Sequence, residues 1–108
     1  MDENLKKIKE IILQTAKEMN VEIDKIILFG SRARGDYRED SDYDILIVTK
    51  NDLEKEKKEK FLSTIEVELI KLLEVPIDLI LIDKKSYEED SKYVGYLYYW
   101  VEKEGVVL

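Results

Sequence analysis

The stretch FGSRARGDYREDSDYDILIV, residues 29–48, places polar and charged side chains between two aliphatic runs. Gly30 and Ser31 follow the first run directly. A glycine at a strand end lets a ligand approach the backbone closely, and the free N–H groups of a helix that starts at Ser31 would face that ligand. This geometry favours phosphate, to which Arg32 and Arg34 would add positive charge.

Two carboxylates follow Ser31 after ten intervening residues, at the entrance to the second aliphatic run. Asp42 and Asp44 are alternate residues, and alternate residues of a strand share one face of a sheet. Two like charges so close together repel each other, and a divalent cation bound between them would relieve the repulsion. Asp78, inside a third aliphatic run, predicts a further ligand from a neighbouring strand, and Asp83 at the far end of that run is a weaker candidate.

Each of these features also has an ordinary structural explanation. An isolated Asp-x-Asp pair is common in loops and seldom binds a metal. Arg32, Arg34 and Arg38 could simply solvate a loop that is otherwise acidic, and Asp78 could cap a turn or pair with a lysine. The combination favours a functional site, because a strand, Gly-Ser, Asp-x-Asp, a second strand and a later in-strand aspartate occur together.

The composition limits the chemistry that such a site could perform. The 108 residues include no cysteine and no histidine, which excludes a thiolate nucleophile, a disulfide and a histidine general base. Carboxylates without imidazole suit hard cations such as magnesium. Catalysis would therefore depend on carboxylates, hydroxyls, Lys and Arg side chains, and a bound ion.

The charge balance and the N-terminus limit the partners. Eighteen basic and 25 acidic residues give a net charge of −7, whereas proteins that bind duplex nucleic acid are usually basic. Residues 1–14 are charged and amphipathic, unlike a signal peptide, and no apolar run reaches membrane-spanning length. We therefore expect a cytoplasmic protein that binds neither nucleic acid nor membrane directly.

The hydrophobic pattern predicts the elements that would position these residues. The predicted order is helix 3–19, strand 25–29, strand 43–49, helix 52–74, strand 76–83 and helix 86–103, and the final EGVVL could add a short strand. This order predicts a mixed α/β (α+β) fold with a small mixed sheet of three to four strands. We expect one domain over residues 1–108, with the helices mainly on one face and the other face open for a ligand.

The segment GSRARGDYREDSDYDILIV resembles the signature of the nucleotidyltransferase superfamily related to DNA polymerase beta, which reads Gly-Ser, ten residues, then Asp-x-Asp. The chain length, the strand that carries Asp78 and the terminal EKEGVVL resemble the minimal nucleotidyltransferases, the smallest branch of that superfamily. The resemblance spans nearly the whole chain and implies the nucleotidyltransferase fold.

The resemblance also implies an activity, which is transfer of a nucleoside monophosphate, here AMP from ATP, to a hydroxyl. Gly30 and Ser31 would hold the β- and γ-phosphates. Asp42, Asp44 and Asp78 would bind two magnesium ions, and Asp78 would also orient or deprotonate the attacking hydroxyl. The nearby arginines could neutralise the departing pyrophosphate.

A partner is implied by the same resemblance. Minimal nucleotidyltransferases are commonly encoded beside a HEPN-domain protein, as the antitoxin of a toxin–antitoxin pair of the type VII kind, and some adenylylate a tyrosine of the HEPN ribonuclease. This implies a HEPN-domain toxin as acceptor, in a homo-oligomer or a hetero-oligomer. Two alternatives remain open, namely a non-catalytic antitoxin that acts by binding and a small-molecule adenylyltransferase.

The predicted C-terminal helix offers a candidate docking surface. A helical wheel places Val94, Leu97, Tyr98 and Val101 on one face, the expected core. Tyr93, Tyr96 and Trp100 fall in another sector. Clustered aromatic side chains outside a core stripe are typical of interfaces, and the alternative is that they pack against the N-terminal helix.

Overall fold

The computed structural model describes residues 2–108. Over these residues the chain forms five helices and four strands. They follow in the order α1 (Glu3–Glu18), β1 (Ile23–Phe29), α2 (Ser31–Arg34), β2 (Tyr43–Thr49), α3 (Lys55–Leu72), β3 (Ile77–Asp83), α4 (Lys84–Asp90), α5 (Leu97–Glu104) and β4 (Val106–Val107). None of the described helices is long and apolar enough to cross a membrane.

The four strands form one mixed sheet in the order β3-β2-β1-β4. β1 pairs antiparallel with β2 and with β4, whereas β2 and β3 run parallel. A parallel pair needs a long crossover connection, which α3 supplies. The prediction of a small mixed sheet in an α/β fold is confirmed, and the final EGVVL does contribute the short edge strand.

The strands are apolar on both faces, so the sheet separates two cores. Ile45 and Ile47 of β2 belong to the larger core, and their neighbours Leu46 and Val48 belong to the smaller one. This follows from the period-two alternation of side chains along a strand. Continuous aliphatic runs are expected wherever both faces are covered.

The two long helices cover one face of the sheet. α1 buries Ile8 and Ile12, and α3 buries Phe61 and Ile65, in the larger core. Asp2 caps α1 by accepting a hydrogen bond from the backbone N–H of Leu5 at 2.7 Å. The apolar spacing thus predicted both helices, although α3 is shorter at each end than the predicted 52–74.

The second face is more covered than the sequence predicted. Tyr87 of α4 and Val101 of α5 are buried there against β1 and β2. The segment predicted as one helix over 86–103 is two helices, interrupted at residues 91–96. The expectation of a fully open second face is therefore wrong, because the interruption lets two short helices fold back onto the sheet.

Gly105 allows the chain to pass from α5 directly into the edge strand. A Cβ at this position would overlap the carbonyl oxygen of Val101 and the side chain of Ile27. Val106 and Val107 then pair with Leu28 and Ile27. The close contact fixes α5 beside the end of β1, next to the Gly-Ser pair.

Candidate active site

The three aspartates singled out by the sequence lie on the same face of the sheet. Asp44 of β2 is the register partner of Asp78 on the parallel strand β3. Asp42 is two residues before Asp44 and so shares its side of the chain. All three lie on the face of the smaller core, at one end of the strands.

Gly30 closes the other side of Asp44. Gly30 follows Phe29, which is the last residue of β1 and the register partner of Asp44. The Gly30 backbone has φ +73° and ψ −156°. This conformation is essentially restricted to glycine. A Cβ at Gly30 would also overlap the Asp44 carboxylate, so the backbone and the carboxylate can approach each other only because glycine stands here.

The electrostatics of Asp44 show that the carboxylates interact. Burial raises the pKa of Asp44 above its usual value, and the negative charges of Asp78 and Asp42 raise it further. The Arg34 guanidinium acts in the opposite direction and lowers the pKa. The cluster therefore carries more negative charge than Arg34 alone offsets, which is an environment that attracts a cation.

The donor set suits a hard cation, although the side chains do not form a closed cage. Within residues 2–108, no group of three or more acidic side chains is arranged as a ready metal-binding set. Asp42 and Asp78 are exposed and Asp44 is half-buried, so the carboxylates interact without converging on one point. Magnesium usually takes only one or two protein carboxylates and completes its shell with phosphate oxygens and water. The carboxylate oxygen ligands suit such an ion, and the close approach of the Gly30 backbone to Asp44 suits a phosphate bound together with it.

Ser31 and Arg34 lie within the short helix α2. The carbonyl oxygen of Gly30 accepts hydrogen bonds from the backbone N–H groups of Ala33 and Arg34, each at 3.1 Å. The Arg34 guanidinium forms ion pairs with Asp36 at 3.4 Å and with Glu104 of α5 at 3.7 Å. Arg34 therefore lies near the carboxylates and is half-exposed, so it can move toward a bound anion.

Arg32 is not placed with the carboxylates, in contrast to the sequence prediction. Its guanidinium stacks on Tyr43, 4.0 Å from the ring centroid, and Tyr43 belongs to the larger core on the opposite face. It donates hydrogen bonds to the carbonyl oxygens of Glu39 at 2.8 Å and Ser41 at 2.9 Å. Arg32 thus anchors the loop that leads to Asp42, because its donors are used by that loop.

Asp83 has a structural role at the other end of β3. It is the N-cap of α4 and accepts a hydrogen bond from the backbone N–H of Ser86 at 3.0 Å. Burial would raise its pKa, but the hydrogen bonds from Ser86 and the neighbouring backbone lower the pKa overall. Its lower rank in the sequence prediction agrees with this position.

Sequence reasoning missed the part of α5 that borders Gly30. A cavity of about 180 Å³ lies between the end of β1 and α5. It is lined by Phe29, Gly30, Arg34, Leu97, Trp100, Val101 and Glu104. Nothing in the local sequence links the two segments, because only the pairing of β4 with β1 brings α5 to this position.

The C-terminal aromatic residues lie on the surface. Tyr93 and Tyr96 are 53% and 51% exposed and pack edge to face against each other at 6.2 Å. The alternative that they pack against α1 is wrong, since α1 and α5 cover opposite faces of the sheet. The prediction that Val94 and Leu97 are core residues is also wrong, because both are exposed.

Comparisons with known proteins bear on the family and the fold of the chain. A family model described as "Nucleotidyltransferase domain" matches residues 5–103. Two relatives from Methanocaldococcus jannaschii both carry the name "Putative protein adenylyltransferase". One is 58% identical over 43 residues, which are 40% of this chain and 43% of the relative. The other is 38% identical over 101 residues, covering 83% of this chain and 97% of the relative.

Solved structures show the same fold. One described as "Structure of putative minimal nucleotidyltransferase" is 27% identical, covers 100% of this chain and 97% of its own, and has a TM-score of 0.61. Another, "Crystal structure of the toxin-antitoxin with AMP-PNP", is 20% identical, covers 91% of this chain and 69% of its own, and has a TM-score of 0.53. The second likeness concerns the fold alone.

Proposed function

The chain belongs to the nucleotidyltransferase domain family, and from this premise we propose that it transfers AMP from ATP to a hydroxyl of a partner protein. The observation that carries the proposal is the Asp44–Asp78 register pair beside the glycine-only backbone of Gly30. A charged cluster next to a close backbone approach suits a metal-bound triphosphate. We take residues 1–108 as one nucleotidyltransferase domain.

The roles of the residues follow from the reaction. The acceptor hydroxyl oxygen attacks the α-phosphorus, the bond to the β-phosphate oxygen breaks, and pyrophosphate leaves. Asp42, Asp44 and Asp78 would hold magnesium, which supplies charge stabilisation at the phosphoryl oxygens. Asp78 would also orient the attacking hydroxyl or accept its proton.

The triphosphate would bind at the end of β1. Gly30 lacks the Cβ that would overlap the Asp44 carboxylate, so its backbone is close to the carboxylates, and the Ser31 hydroxyl is at the start of α2. Arg34 would exchange its exposed ion pairs with Asp36 and Glu104 for the phosphates of the departing pyrophosphate. Exposed ion pairs contribute little to stability, so this exchange costs little.

A protein acceptor is supported by the surface next to the site. Tyr93 and Tyr96 are exposed on the segment that precedes α5, and exposed aromatic clusters are typical of protein interfaces. The two relatives are themselves named for protein adenylyltransfer. A small-molecule acceptor is less well supported, because none of the site features described for residues 2–108 encloses a pocket for such an acceptor.

The specific acceptor that we propose is a tyrosine of a HEPN-domain toxin, which would make the chain an antitoxin. The support is the resemblance of the Gly-Ser and Asp-x-Asp segment to minimal nucleotidyltransferases, together with the fold shared with a toxin–antitoxin structure. Adenylylation would add a charged group to the tyrosine hydroxyl. A change of charge at that position can silence an enzyme by blocking its substrate site.

The test is transfer of label from α-labelled ATP to a co-purified HEPN protein in the presence of magnesium. We expect label on the partner with the wild-type chain and none with Asp42→Ala. Asp40→Ala is the matched control, since Asp40 is an exposed aspartate of the same loop that has no assigned role. If Asp42→Ala neutralises the toxin as well as the wild type does, the non-catalytic alternative is correct.

A further inference from the structure

The cavity between β1 and α5 has a polar rim and an apolar wall. Gly30, Arg34 and Glu104 form the rim, and Phe29, Leu97, Trp100 and Val101 form the wall. Resting on the proposed function, we propose that this cavity receives the nucleobase of the donor nucleotide, and that Trp100 is the surface on which the base stacks. Trp100 is then a residue that determines affinity for the nucleoside part of the donor.

The lining of the cavity favours an aromatic ring over a phosphate. A phosphate needs several hydrogen-bond donors or positive charges around it. Here the wall is made of carbon, and the Glu104 carboxylate on the rim would repel an anion that entered fully. A flat heteroaromatic ring would instead cover apolar surface and stack on the indole.

The strand order favours the donor base over the acceptor side chain. Asp78 lies on β3, Asp44 on the adjacent β2, and Gly30 at the end of β1 on the far side. A hydroxyl oriented by Asp78 reaches the α-phosphate from the β3 side. The cavity beyond Gly30 is on the opposite side of Asp44 from Asp78, so it borders the proposed donor site and not the position of the acceptor hydroxyl.

The Trp100 ring is already held in a fixed orientation. Its indole Nε1–H donates a hydrogen bond to the carbonyl oxygen of Val94 at 3.1 Å. The Tyr99 ring packs against it edge to face, with centroids 5.1 Å apart. Trp100 nevertheless remains 48% exposed. A fixed and accessible ring binds a stacking partner without a further loss of side-chain freedom.

The protein carries its own reporter, because Trp100 is the single tryptophan of the 108 residues. Tryptophan fluorescence is measured while magnesium AMP-PNP, or magnesium tripolyphosphate as a probe without a base, is added to the full chain. We expect AMP-PNP to quench the fluorescence. We expect tripolyphosphate to bind, as measured by calorimetry, with little change in fluorescence.

Two substitutions and a matched control complete the test. Trp100→Ala should weaken AMP-PNP binding by about tenfold and leave tripolyphosphate binding within about twofold. Trp100→Phe should retain most of the AMP-PNP affinity, since a ring is kept. Leu13→Ala, at an exposed apolar residue of α1 that does not line the cavity, should bind both probes as the wild type does.

The outcomes separate this inference from the proposed function. A wild-type chain that binds neither AMP-PNP nor tripolyphosphate would overturn the proposed function and this inference with it. A wild-type chain that binds both probes, with AMP-PNP affinity unchanged in a folded Trp100→Ala variant, would overturn the base site alone. If circular dichroism shows that Trp100→Ala is unfolded, the wild type decides the question. Absence of fluorescence quenching by AMP-PNP in the wild type would overturn the base site equally.

Discussion

Asp44 and Asp78 lie side by side as register partners on two parallel strands. Their charges interact strongly enough that Asp78 helps to raise the pKa of Asp44, after the larger effect of burial. A pair of like charges at adjacent strand positions costs stability unless a cation is bound. This relationship leads to the first prediction.

Asp44→Asn should abolish AMP transfer while increasing the stability of the metal-free protein at neutral pH. The pKa of Asp44 is raised in the folded state, so the folded protein disfavours the charged form. The free energy of unfolding should therefore fall as the pH rises from below 3.8, the ordinary value, through the folded pKa. Thermal unfolding in the presence of a chelator should show this decrease for the wild type and a smaller one for Asp44→Asn. A variant that is less stable than the wild type at pH 7 would contradict the electrostatic argument.

Gly30→Ala should lose stability and activity together. A non-glycine residue in this backbone conformation costs about 1–3 kcal/mol, and the added Cβ would overlap the Asp44 carboxylate. Gly95→Ala is the matched control, because a Cβ at Gly95 would meet no atom within 4 Å. Denaturant unfolding and the transfer assay should distinguish the two variants. Equal stability of the two would show that Gly30 can be replaced without strain.

Arg32→Ala should reduce stability, whereas Arg34→Ala should weaken triphosphate binding. Arg32 holds the loop before Asp42 through backbone carbonyl oxygens and Tyr43, so its loss should cost about 1–3 kcal/mol of folding free energy. The ion pairs of Arg34 with Asp36 and Glu104 are exposed. Loss of Arg34 should therefore change stability by less than about 1 kcal/mol while weakening triphosphate binding. Chemical denaturation and calorimetry with tripolyphosphate measure the two effects. An Arg32→Ala variant of normal stability with weakened triphosphate binding would contradict this prediction and would show that Arg32 contacts the phosphates.

Asp83→Ala should reduce stability without affecting transfer. Asp83 caps α4, and loss of an N-cap costs about 0.5–2 kcal/mol. Its pKa is lowered in the folded state, so this contribution is present at neutral pH and is lost as the pH falls from 3.8, the ordinary value, through the folded pKa. Asp78→Ala, on the same strand, should show the converse, which is lost transfer with little loss of stability. Comparison of the two variants in thermal unfolding and in the transfer assay is the check, and lost transfer in a folded Asp83→Ala protein would contradict it.

Much of the fold was predictable because its signals are local. Aliphatic runs predicted the three main strands, and helical spacing of apolar residues predicted both long helices. The predicted strand 76–83 begins one residue too early, since β3 starts at Ile77. The break at residues 91–96 was not predicted, since the apolar spacing on either side continues through it. The structure divides the segment into α4 and α5, and each helix packs one buried residue, Tyr87 and Val101, against the second face of the sheet.

The sequence alone determined most of the candidate site, because one continuous segment contains Gly30, Ser31, Asp42 and Asp44 at their characteristic spacing. The tertiary structure decided which charged groups meet. Parallel pairing of β2 with β3 brought Asp78 to Asp44, stacking on Tyr43 took Arg32 to the opposite face, and pairing of β4 with β1 set Trp100 beside Gly30. The two strand pairings join residues far apart along the chain, and all three contacts depend on strand register and packing, which no local pattern encodes.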